Sequence, residues 1–210
     1  MTPTAAERLR SATRAWHDIL QTSDFALALL AGRLPLDRYV GQLTAYRVIL
    51  AALETELTRT TCPDVVRVWS PDLIKVPLID GDLRYFGEGG AGAGSLAADA
   101  AGAFADDIRR TAVAAPRELL GFLYVLEGST LGALFLRPHL LAAHRLGDTD
   151  GTTYYASGDP SRWARLTALL NETLTDPEPL NRVIAAAERA YRHTAAVTEA
   201  LSRGLAQDGS

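Results

Sequence analysis

The chain has 210 residues, 48% apolar and 22% charged, a balance that excludes disorder over most of its length and suits a single domain. Lys and Arg number 21 against 25 Asp and Glu, a formal net charge of −4, which excludes the broadly basic surface of a nucleic-acid-binding protein. One cysteine, Cys62, excludes an internal disulfide and a thiolate metal site. Lys75 is the sole lysine among arginines, which reads as compositional bias.

In chain order, Leu9, Ala12, Trp16, Ile19 and Leu20 recur at helical spacing and predict a first helix over 4–22. The charged stretch before Arg10 has no apolar run of a signal peptide, so the expected address is the cytoplasm. A second helix follows Pro35, striped by Tyr39, Leu43, Tyr46, Leu50, Leu53 and Leu57, and closes at Cys62-Pro63. Residues 63–86 read as short pieces broken at Pro71, Pro77 and Gly81. Residues 87–94 hold five glycines and read as a mobile loop; they lack the Gly-Lys-Ser/Thr ending of a phosphate cradle. An Ala-rich helix is expected over 95–111, a long apolar one from Pro116 to about Arg145, a polar loop over 147–158, and two last helices over 160–175 and 180–205, with a disordered tail at 206–210. The span Leu119–Leu136 is apolar enough to test as a membrane crossing, but its centre is the polar Glu127-Gly128-Ser129-Thr130, so a buried helix fits better. The expected architecture is a single all-α domain, 1–210, with no membrane segment.

Two places could carry chemistry. In Gly128-Ser129-Thr130-Leu131-Gly132-Ala133 two glycines stand four apart on one helical face, flanked by Ser129 and Ala133. Each glycine costs a helix interior about 1 kcal/mol relative to alanine. Either a neighbouring helix or a planar ligand must press on that bare backbone. His17 borders the stripe of the first helix, with Arg10 and Arg14 on its side. A lone histidine there is commonly a satisfied structural one. Two cations beside it also suit a ligand with an anionic edge and a metal centre, as in heme. No Glu precedes any His by three residues and no Gly-x-Ser-x-Gly elbow occurs, which excludes a di-iron bundle built on such pairs and a serine hydrolase of that type.

The segment LRSATRAWHDIL resembles the opening helix of heme oxygenases, and GFLYVLEGSTLGALFLRPHL resembles the distal helix of their bacterial, biliverdin-producing branch. VPLIDGDLRYFG and PSRWARLTALLN are similar to further segments of that branch. The resemblance implies a multi-helical heme oxygenase-like fold and an oxidoreductase that cleaves heme, its substrate and cofactor, to biliverdin, CO and ferrous iron. It would use O2 and electrons from an external ferredoxin or reductase, with a bacteriophytochrome as one possible recipient of the biliverdin. His17 would be the axial iron ligand, and Gly128, Ser129, Gly132 and Ala133 the distal wall. Arg10, with Arg162 or Arg165, would hold the propionates, and Tyr191 would line a heme edge. The chain departs from the family pattern at Gln21, where many members carry Glu, at Ala133, where the second paired glycine stands, and at Ser129, which stands for the distal Asp of the mammalian branch. Rival readings are a non-catalytic heme-binding protein, and a protein of this fold without heme serving as a partner module or non-heme iron oxygenase.

Overall fold

A computed structural model describes residues 3–87 and 96–205. The expected loop at 87–94, apart from Gly87, and the expected tail at 206–210 lie outside the described residues. Among the described residues there are nine α-helices and no strand: α1 Ala5–Gln21, α2 Asp24–Leu30, α3 Leu36–Arg59, α4 Pro63–Val68, α5 Val76–Phe86, α6 Ala98–Ala114, α7 Leu119–His144, α8 Pro160–Thr173 and α9 Pro177–Ser202.

Local chemistry accounts for several boundaries. The Thr4 hydroxyl accepts from the Glu7 amide while the Glu7 carboxylate accepts from the Thr4 amide at 2.7 Å, a reciprocal cap that starts α1. Asp159 caps α8 in the same sense, accepting from the amides of Ser161 and Arg162. Two expectations need correction. A helix absent from the sequence reading, α2, follows α1 directly, capped by Ser23. The breaks expected at Pro77 and Gly81 are instead interior to α5: proline in the first turn lacks only a hydrogen bond that has no partner there anyway.

The core is formed by α3 against α6, with α9 packed between α1 and α7. Every residue of α7 from Leu119 to Glu127 is buried. Fully burying leucines and aromatics such as Leu119, Leu120 and Phe122 stabilises the fold by about 1.5–3 kcal/mol each. The α7 and α9 axes come close at Gly121, where an added Cβ would stand 2.4 Å from the Val183 carbonyl oxygen and 2.7 Å from the Ala187 nitrogen. The most apolar 18 residues of the long helix within Pro116–His144, with a mean hydropathy of 1.7, are thus more than half buried in this core.

The segment between α7 and α8 is irregular yet anchored. The buried Asp82 carboxylate of α5 accepts from the amides of Thr153 at 2.8 Å and Tyr154 at 2.7 Å. The Tyr39 hydroxyl donates to the Gly151 carbonyl at 2.8 Å, and the Tyr155 hydroxyl to the Gln42 side chain at 2.5 Å. What reads in sequence as a polar loop therefore buries Thr152, Tyr154 and Tyr155.

Candidate active site

A cavity of about 840 Å³ lies between α1 and α7 and is closed by Trp163 of α8 and Tyr191 of α9. This is within the range of small-molecule and cofactor pockets. Helix α1 presents Arg10, Arg14, His17 and Gln21; helix α7 presents Tyr124, Gly128, Leu131 and Gly132. The four α1 residues are spaced three or four apart, and on α7 Leu131 and Gly132 lie three and four beyond Gly128, itself four beyond Tyr124, so each set forms one helical face.

The two glycines do different things. A Cβ on Gly132 would meet no heavy atom within 4 Å, so that backbone faces open cavity. A Cβ on Gly128 would stand 3.1 Å from the Trp163 ring, which packs against the bare backbone and lies 5.1 Å, centroid to centroid, from Tyr124. The helix-packing alternative therefore fails at Gly132; the neighbour at Gly128 is one indole. Close helix–helix approach in α7 occurs instead at Gly121, a position the sequence reading did not single out.

His17 is 55% exposed and its ring lines the cavity. Its Nε2 lies 3.5 Å from the Gln21 amide nitrogen. The Gln21 group nearest the ring is its amide nitrogen. A donor on Nε2 leaves the ring proton on Nδ1, on the side of Asp18, whose carboxylate is 3.9 Å away. A contact as long as 3.5 Å is weak and readily exchanged for a better partner at Nε2. Burial, with Tyr191 close by, pushes the Tyr124 phenol up to about 12. Burial also raises Tyr191, opposed by a hydrogen bond with Thr13. Both remain neutral phenols at physiological pH.

Of the other expected site residues, Arg10 and Tyr191 line the cavity. Arg162 and Arg165 do not. The Arg162 Nε donates to Glu127 Oε1 at 2.7 Å, its guanidinium also reaches the Ser157 carbonyl, and Arg165 pairs with Asp72 on another side of α8. Helix α8 meets the cavity through Trp163. Among the described residues Arg10 and Arg14 make no ion pair, although Glu7 and Asp18 line the same cavity with them. Ser129 and Ala133 also fall outside the cavity wall: the Ser129 hydroxyl donates to the Leu126 carbonyl at 2.7 Å, and Ala133 packs against the core. Each residue along a helix turns by 100°, so Ser129 and Ala133, one step past the cavity-facing Gly128 and Gly132, point away from the cavity, while Leu131 stays on its edge. Tyr124, Leu131 and Trp163 were missed. The first two follow from carrying the Gly128 face one helical turn either way.

An imidazole, a bare stretch of helix, an open volume and two unpaired cations define a helical pocket for a flat ligand with an anionic edge. The chain belongs to the heme oxygenase family, whose model matches residues 3–200; the family's enzymes are oxidoreductases that degrade heme to biliverdin, heme being both substrate and prosthetic group. Among solved structures it is similar to heme oxygenase-1 of the cyanobacterium Synechocystis in complex with heme, at 21% identity and TM-score 0.85, over 98% of this chain and 96% of that one. Heme oxygenase of Leptospira interrogans matches at 18% identity and TM-score 0.82, over 95% of this chain and 99% of that one. Heme oxygenase-2 of Synechocystis, in complex with heme and NO, matches at 20% identity and TM-score 0.84, over 95% and 85%. These likenesses establish the shared fold. No curated protein matches the sequence at a significant level.

Proposed function

We propose that this chain binds heme in the cavity between α1 and α7 and cleaves it with O2 to biliverdin, CO and ferrous iron. The electrons come from a separate ferredoxin or reductase, and the protein is soluble and cytoplasmic, with a bacteriophytochrome as one recipient of the product. The observation that carries the reading is Gly132, whose missing side chain opens onto the same cavity that His17 lines. Heme would supply the iron that binds O2 and the porphyrin edge that is oxidised. The residues fit it: His17 Nε2 would exchange its long Gln21 contact for the iron, and a neutral imidazole leaves the iron in the range used by histidine-ligated hemes.

Arg10 and Arg14, which line the cavity from α1, would hold the propionates and so set the in-plane rotation of the porphyrin. Each exposed pair contributes about 1 kcal/mol or less, so their role is orientation more than affinity. Gly132 would leave room for O2 beside the bound heme, while Leu131 and the Trp163 indole packed on Gly128 would exclude bulk water. The neutral Tyr124 and Tyr191 phenols can donate hydrogen bonds within the cavity without adding negative charge.

Hemin added to the purified protein should give a Soret band that decays to a biliverdin spectrum on adding ascorbate or a reductase in air. In His17→Ala both the band shape and the decay should be lost, with imidazole restoring part of the band. A stable Soret band would support heme binding without turnover, and absence of any band would sink the reading.

A further inference from the structure

Directly behind the cavity wall lies a cluster of buried charge. Lys75, 2% exposed, places Nζ 3.0 Å from Glu127 Oε2, and the other oxygen of Glu127, itself 4% exposed, accepts from Arg162 Nε at 2.7 Å. The cluster is tied down at each member. Lys75 Nζ also donates to the Leu73 carbonyl, and Arg162 to the Ser157 carbonyl. The backbone amides of Lys75 and Val76 donate to Glu54 Oε1 at 2.6 and 3.1 Å. Three segments distant in sequence meet at one carboxylate: the start of α5, the middle of α7 and the first turn of α8.

Buried ion pairs are poor stabilisers, because the cost of removing the charges from water offsets their attraction; apolar residues of similar volume commonly do as well or better. What such a cluster does provide is a fixed geometry, since any displacement leaves a charge buried without its partner. Its location gives that geometry a use. Glu127 is bonded in sequence to Gly128, and Arg162 to Trp163, and the Trp163 indole is packed over Gly128, where an added Cβ would stand 3.1 Å from the ring.

On the reading that this cavity binds heme, we propose that Lys75, Glu127 and Arg162 form a buried charge clamp whose role is to position the Gly128–Gly132 strip and the Trp163 indole over the porphyrin. They are positioning residues: none lines the cavity. The clamp fixes the register of α7 against α8, and with it the height of the bare backbone above the heme plane. That height decides how O2 is confined, and so which porphyrin edge it meets.

The test replaces the charges with apolar side chains of similar size, K75M/E127L/R162M, in the full chain. The variant is expected to fold with a melting temperature equal to or above the parent's and to give a normal Soret band with hemin. The C–O stretching frequency of the ferrous CO complex should shift and broaden, the biliverdin isomer ratio should change, and turnover should fall by ~10- to 100-fold, the scale set by small misplacements of reacting groups. Glu127→Asp keeps every charge but withdraws the carboxylate by one methylene; it should move the C–O band and isomer ratio in the same direction, which settles the matter if the triple variant does not fold. A parent-like C–O band and isomer ratio in the folded variants would overturn the clamp while leaving the heme reading intact. A parent protein that gives no Soret band overturns both.

Discussion

The two halves of α7 contain the same residue type for opposite reasons. At Gly121, in the half buried from Leu119 to Glu127, the backbone of α9 occupies the space a side chain would need. At Gly132, three turns on, nothing occupies it. The first glycine allows two helices to approach; the second keeps a volume clear for something that is not protein. Gly128 stands between them in position and in character, with one movable indole across from it. A glycine pair four apart on a helix is therefore ambiguous until the opposite wall is known, and the question is settled by what a methyl group would strike.

Substitutions along the helix probe that gradient. The largest effect is expected at Gly132→Leu: biliverdin formation should fall by ~100-fold or more, as expected when reacting groups are displaced, while the melting temperature of the heme-free protein holds or rises, since leucine favours a helix by up to about 1 kcal/mol over glycine. A fall in melting temperature with turnover intact would reverse the assignment. Gly121→Leu should behave oppositely. Overpacking against the α9 backbone should cost about 3 kcal/mol or more, beyond the ordinary overpacking range because backbone cannot step aside. Urea unfolding measures the loss, and protein that remains folded should keep the parent isomer ratio.

Smaller effects are expected in between. In Gly128→Ala the new methyl meets the outer edge of Trp163, so the indole shifts by a few tenths of an ångström; stability should change by about 1 kcal/mol or less, helix propensity offsetting the crowding. Tryptophan fluorescence in a background lacking Trp16 and Trp69 should report the shift. The smallest effect is in alkali. Burial pushes the phenols of Tyr124 and Tyr46 up to about 12, whereas in the unfolded chain both ionise near 10. Their preference for the neutral form leaves stability intact below about pH 10, and stability falls as pH rises from there toward 12. Tyr124→Phe should make the decline shallower in denaturant melts compared at about pH 9 and about pH 11; an unchanged slope would mean that Tyr124 is no better shielded than a surface phenol.

The sequence pattern made the long helices legible because α1, α3 and α9 carry apolar residues at regular helical spacing, and it located His17 and the bare strip, both of which line the cavity. It did not reveal α2, whose seven residues are too few for a period to stand out, although Ser23 offered a cap. The strip was read as a string of residues where geometry requires a face, which brought in Ser129 and Ala133 and left out Tyr124 and Leu131. Arg162 and Arg165 were expected at the propionates because charge was visible and its partners were not: Glu127 and Asp72 lie 35 and 93 positions away in the chain. The lone lysine stands in the apolar run Leu73 to Ile79, but nothing near it in the sequence marks Glu127 as a partner. Its charged neighbours come from α3, α7 and α8, and only tertiary structure brings these to it.

Asp82 carries a consequence beyond the position of Tyr154. Because its buried carboxylate holds two backbone amides of the stretch between α7 and α8, that stretch cannot peel away without leaving a charge in the interior. A region of irregular backbone that would ordinarily be the first to open is thereby tied to α5 and, through Tyr39 and Gln42, to the core helix α3. Proteases should find it a poor substrate despite the flanking Arg145 and Arg162, and its amide protons should exchange with solvent on the same slow schedule as those of the helices around it.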